Sequence, residues 1–186
     1  MNSADFERLI LVAATELERL SIAHAIVGSV ASSRFGVQRA TLDIDFVADI
    51  KPFQIPALVR ALTPAFYIDE ELVMDAIQRR SSFNVLHLET GAKLDFFALK
   101  NRPYDRVALD RRSPEIPAFM TAEDVLLGKL EWYRAGDETS ERQWGDVLGI
   151  LRTALVFDLK YARHWANEIG VLDLLERAEA QSGLVL

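Results

Sequence analysis

The stretch Gly28-Ser29-Val30-Ala31-Ser32-Ser33-Arg34-Phe35-Gly36-Val37-Gln38-Arg39-Ala40-Thr41-Leu42-Asp43-Ile44-Asp45-Phe46 carries more structural information than any other in the chain. It is entered through Ala23 to Val27, an apolar run ended by Gly28-Ser29, and it leads into Thr41 to Ala48, β-branched and aromatic around two aspartates. Both runs have the composition of buried strands. Side chains alternate along a strand, so Asp43 and Asp45 share one face while Leu42, Ile44 and Phe46 fill the other. Between the strands, Val30 to Phe35 is expected to form one or two helical turns that stop at Gly36.

Outward from this centre, Phe6, Leu9, Ile10, Ala13, Leu17 and Leu20 recur at helical spacing, with Asn2 or Ser3 available as caps. Pro52 to Leu62 and Glu70 to Arg79 read as helices, one opening at a proline and the other with acids in its first turn. Ser82 to Leu88 and Lys93 to Leu99 form a hairpin pattern with Thr90-Gly91 at the turn. Prolines at 103, 114 and 117 mark Pro103 to Met120 as a connection with one short helix and an extended piece. From Thr121 only helical patterns follow, over 121–134, 140–156, 158–169 and 171–180. The expected architecture is α+β, a mixed-sheet core over residues 1–112 followed by a helical region over 113–186.

Composition removes whole classes of function. The 186 residues contain no cysteine and three histidines, which excludes disulfide frameworks, thiolate zinc sites and cysteine nucleophiles. No apolar run reaches the ~18 residues of a membrane span, and the acidic, Asn-Ser-containing start lacks the basic opening of a secretory signal, so a cytoplasmic protein with no membrane partner is expected. With 21 Lys and Arg against 28 Asp and Glu, the net charge of −7 argues against nonspecific coating of nucleic acid.

A third acid, Asp95, lies in Lys93-Leu94-Asp95-Phe96-Phe97 on an expected strand. If that strand neighbours the first, three carboxylates converge and need a positive charge among them. Lys93, on the same face as Asp95, offers an ordinary ion pair. The alternative is a metal held by Asp43, Asp45 and Asp95, and an all-oxygen donor set favours Mg²⁺ or Mn²⁺. The Gly28-Ser29 turn, opening a helix, supplies backbone N–H groups and a hydroxyl to a phosphate. Together these features predict chemistry on a nucleoside triphosphate, in which two metals activate a hydroxyl and stabilise departing pyrophosphate, and Asp95 helps remove the acceptor's proton.

These residues resemble the nucleotidyltransferase superfamily (polymerase beta-like fold), whose signature joins Gly-Gly or Gly-Ser, a spacer of roughly ten, Asp-x-Asp between apolar residues and a later lone Asp. Gly28-Ser29, Gly36, Arg39, Thr41 and Asp43-Ile44-Asp45-Phe46 resemble more narrowly the AbiEii-type group, which includes toxins of toxin–antitoxin systems. Thr121-Ala122-Glu123-Asp124-Val125-Leu126-Leu127-Gly128-Lys129-Leu130 is similar to that group's Glu-Asp…Lys helix, and Arg142-Gln143-Trp144-Gly145-Asp146-Val147 to its Arg-x-Lys-Asp-x-x-Asp stretch, with Trp144-Gly145 in place of Lys-Asp. The resemblance implies a small mixed sheet with flanking helices, a helical second half closing a cleft, and Mg²⁺-dependent transfer of an NMP group from an NTP to a hydroxyl. It implies tRNA as acceptor and an antitoxin as partner. An antibiotic or a protein hydroxyl is the alternative acceptor, and a non-catalytic nucleotide- or partner-binding module is the rival class.

The candidate site residues are therefore Asp43, Asp45 and Asp95 for metal and catalysis, and Gly28, Ser29, Arg39, Lys129 and Asp146 for the nucleotide. Lys129 shares a helical stripe with Val125 and Trp132, where a lysine either snorkels or reaches a phosphate. Asp146 is a site candidate or an i, i+4 partner of Arg142. Arg34 and Arg39 flank a triphosphate or lie on the surface. Gly145 and Gly149, four apart on one helix, suggest a close backbone approach. His24 and His87 are expected in strands as packing residues rather than catalysts, and His164 on a helix.

Overall fold

A computed structural model describes residues 3–36 and 43–183. The described residues of Met1–Val27 and Thr41–Phe119 form one compact unit, and those of Gly28–Ala40 and Met120–Leu186 form another.

The first unit is built on a five-stranded mixed sheet. Its strands are β1 (His24–Val27), β2 (Ile44–Ala48), β3 (Phe66–Tyr67), β4 (Ser82–His87) and β5 (Lys93–Ala98), in the order β1-β2-β5-β4-β3. β2 and β5 run parallel, and every other pairing is antiparallel. Ile44, Phe46 and Ala48 on β2, and Leu94 and Phe96 on β5, are buried, while the residues between them are half-exposed. The sheet thus has one sealed face. On it Phe46, Phe96 and Phe83 stack in series across three strands, with centroids 5.1 Å apart at each step.

Helix α1 (Ser3–Arg19) buries Leu9, Ile10, Ala13 and Leu17 of the expected stripe together with Ala14, while Phe6 and Leu20, the latter beyond the helix end, are half-buried. A 3-10 turn at Pro52–Gln54 opens α3 (Ile55–Leu62), and α4 (Glu70–Arg79) is capped by Asp69, whose carboxylate accepts from the Glu71 and Leu72 amides. The expected short helix in the proline-containing connection is α5 (Pro103–Asp110), and the extended piece bridges Phe119 to Ile26 in parallel. Strand β3 has no counterpart in the sequence reading. Two residues are too few to show an alternation, and only the pairing of Phe66 with His87 and Tyr67 with Leu86 defines it.

The second unit is helical. α2 (Gly28–Phe35) starts at a glycine with φ +63° and packs on α6 (Ala122–Ala135) and α7 (Glu141–Thr153), which are joined by α8 (Leu159–Glu168) and α9 (Leu172–Ser182). Thr121, Ser140 and Asp158 cap α6, α7 and α8 through their side chains. A Cβ on Gly36 would lie 3.1 Å from the Ile150 nitrogen and 3.3 Å from the Gly149 carbonyl carbon, so Gly149 does mark a close approach. Gly145 does not, because a Cβ there meets nothing within 4 Å.

Candidate active site

The half-exposed face of the first unit's sheet carries the acids. Register sets Asp45 directly opposite Asp95 across the parallel β2–β5 pair, at the ~4.8 Å spacing of neighbouring strands. The paired register begins at Ile44 opposite Leu94, and Asp43 stands one residue before it. Residues two apart on a strand share a face, so Lys93 and Asp95 project together from β5 with Asp45 beside Asp95, and this array also feels the charge of Asp43. Thr41 and Leu42, read as the start of this strand, lie outside the described residues.

Lys93 supplies the positive charge within this array. Its Nζ lies 2.8 Å from Asp95 Oδ2, with the lysine 45% and the aspartate 19% exposed. The hydrogen bond to Asp95 raises the Lys93 pKa above its ordinary 10.5, and the charges of Asp43 and Asp45 add to the effect. The ion pair weighed from sequence is therefore present, whereas Asp43, Asp45 and Asp95 are not gathered into a group that could hold a metal.

Val27, the last residue of β1, lies opposite Asp45, and Gly28 follows it in the chain. The Gly-Ser pair opens α2, and the Ser29 carbonyl accepts from the hydroxyls of Ser32 and Ser33.

Two solved structures share this architecture over nearly the whole chain. The crystal structure of an antigenic nucleotidyltransferase-like protein from Paracoccidioides brasiliensis matches with a TM-score of 0.54 at 17% identity, covering 96% of this chain and 93% of that one. The solution structure of the antibiotic-resistance factor ANT(2'')-Ia matches with a TM-score of 0.53 at 14% identity, covering 98% and 96%. This is the nucleotidyltransferase fold. No protein-family model matches the sequence, and no curated protein is similar to it in sequence.

Within this nucleotidyltransferase fold the expected site residues divide between the two units. Asp43, Asp45 and Asp95 belong to the sheet unit, and Gly28, Ser29, Lys129 and Asp146 to the helical unit. Arg39 lies outside the described residues. In the helical unit Lys129 on α6 and Asp146 on α7 meet directly, Nζ to Oδ2 at 2.7 Å, with side chains only 4% and 9% exposed. Lys129 also donates to Gln143 Oε1 at 3.0 Å. Gln143 was not singled out from sequence, although it stands three residues before Asp146 and so on the same helical face.

The array's chemistry fits a hard divalent cation, since carboxylate oxygens are the donors such ions take. Asp45 and Asp95 lie opposite each other across β2 and β5, with Asp43 one residue before β2. Among the described residues, however, no group of three His, Cys, Asp or Glu side chains is gathered around a single point. Asp95 is turned to Lys93 instead. No described helix is long and apolar enough to cross a membrane.

The histidines occupy packing positions. His24 is 2% exposed on β1, its Nδ1 donating to the Ile22 carbonyl at 2.9 Å, and burial lowers its pKa below 6.5. His87 ends β4 against Thr90, and His164 packs on Trp165.

Proposed function

We propose that this protein is a metal-dependent nucleotidyltransferase that moves an NMP group from an NTP to a hydroxyl acceptor. The observation that carries the reading is the pairing of Asp45 with Asp95 across β2 and β5 of a nucleotidyltransferase fold, with Asp43 two residues before Asp45. Asp43, Asp45 and Asp95 would hold Mg²⁺ or Mn²⁺, which when bound polarises the phosphate oxygens and stabilises the departing pyrophosphate. Gly28 and Ser29, at the start of α2, would bind phosphate through backbone N–H groups and the Ser29 hydroxyl. Lys129, held by Asp146, and Arg39 would neutralise triphosphate charge. The acceptor oxygen attacks the α-phosphorus, the bond from that phosphorus to the bridging oxygen breaks, and pyrophosphate leaves. Asp95 takes the acceptor's proton.

The motif resemblance to AbiEii-type toxins supports tRNA as acceptor, with an antitoxin protein as partner. Likeness to the antibiotic-resistance factor ANT(2'')-Ia over 98% of the chain favours a second reading, a small-molecule acceptor. Calorimetry with Mg²⁺ and each of the four NTPs tests the shared part. Binding of at least one, lost in Asp45→Asn, is expected, and no binding by the folded wild type overturns the reading. Incubation of α-labelled NTP with a cell lysate then separates the acceptors, because label enters tRNA, a small molecule or protein.

A further inference from the structure

We propose that Lys93 is a built-in counter-cation of the carboxylate face, holding Asp95 until a divalent ion displaces it and thereby setting how tightly that ion binds. The inference rests on the metal-dependent reading above and extends it to a residue outside the metal-ligand set. Three observations carry it. Lys93 and Asp95 are two apart on β5, so both project from one face, and their charged atoms are 2.8 Å apart. The β2–β5 register sets Asp45 beside Asp95, and the charges of Asp43 and Asp45 both act on the Lys93 ammonium. Among the described residues no three His, Cys, Asp or Glu side chains form a group that could hold a metal, and the Asp95 carboxylate is engaged by Lys93.

The physical consequence is competition. The ammonium offsets repulsion between Asp45 and Asp95 while the site lacks a metal, and it must give up Asp95 and tolerate a like charge a few ångströms away when the metal enters. Lys93 is half-exposed, so its flexible stem can carry the ammonium into solvent or onto the anionic phosphates of a bound NTP. Binding of the free ion is thereby weakened, and binding of the ion together with an NTP is favoured over the ion alone.

Mn²⁺ provides the test, because its electron paramagnetic resonance signal reports free ion directly and needs no turnover. Wild type, Lys93→Met, Lys93→Arg and Asp45→Asn are titrated with Mn²⁺ in the absence of nucleotide, and folding of each is checked by circular dichroism. Removing the charge is expected to tighten binding roughly tenfold at the separations involved, with Lys93→Arg close to wild type and Asp45→Asn much weaker. Equal or weaker binding by Lys93→Met, with binding by wild type that Asp45→Asn weakens, overturns the role of Lys93 and leaves the metal site standing. Absence of Mn²⁺ binding in every variant overturns both.

Discussion

Lys129 Nζ and Asp146 Oδ2 lie 2.7 Å apart where α6 meets α7, both side chains nearly sealed from solvent. An ion pair so placed has already met the cost of desolvation, and removing one partner leaves the other charge without compensation. Lys129→Met is therefore expected to lower stability by about 3 kcal/mol, and the double variant Lys129→Met with Asp146→Leu to recover most of that loss. Urea unfolding of the four proteins in a double-mutant cycle measures the coupling. Additive effects would show that the pair is not a unit.

Two glycines in the helical unit are expected to respond in opposite directions to the same substitution. Gly145→Ala adds a methyl to open space inside α7, and the gain in helix propensity is about 0.5–1 kcal/mol. Gly36→Ala places its methyl 3.1 Å from both the Ile150 nitrogen and the Ser32 oxygen, and backbone shifts of that kind cost about 1–3 kcal/mol. Thermal unfolding of the two variants gives Tm changes of opposite sign.

Burial holds His24 neutral, its pKa lowered from 6.5 although the Ile22 carbonyl partly opposes the shift. As pH falls below about 6.5 the unfolded chain takes up a proton that the folded protein resists, so stability falls toward the lowered folded value, by at most about 1.4 kcal/mol per pH unit. Chemical denaturation between pH 7.5 and 5 is expected to show this slope in wild type and to lose it in His24→Leu. An unchanged slope in the variant would assign the titration elsewhere.

Asp49, buried just beyond β2, accepts from Lys51 at 2.7 Å and from Arg106 of α5 at 2.6 Å. Burial alone would raise its carboxyl pKa, but the two hydrogen bonds outweigh it and hold the value below 3.8. Its contribution to stability is present above that unfolded-state value and disappears as pH falls through the lower folded one. Asp49→Asn is accordingly expected to be less stable at neutral pH and to show a shallower acid limb, measured by urea unfolding from pH 7 to 2.5.

Most elements were legible because their signals are local. Pro52 marks a helix start, Thr90-Gly91 marks the hairpin, and the helical patterns read from 121, 140 and 158 begin at Thr121, Ser140 and Asp158, which cap those helices. Phe66-Tyr67 was not legible, since a two-residue strand exists only through its partner β4. Nor does helical spacing tell an open glycine from a crowded one, as Gly145 and Gly149 demonstrate.

Alternation along the chain puts Asp43 and Asp45 on one face of an expected strand, and the strand that forms starts between them, at Ile44. The sequence by itself also placed Asp95 on a strand with apolar neighbours and Lys129 on a helix. Tertiary packing alone sets β5 parallel to β2 in the register that places Asp95 opposite Asp45, and brings Lys93 onto Asp95. It likewise decided that Lys129 meets Asp146 rather than standing alone. Spacing along a chain sets which face a side chain takes, whereas the partner across that face depends on strand order and helix packing, which are settled by burial of the whole core.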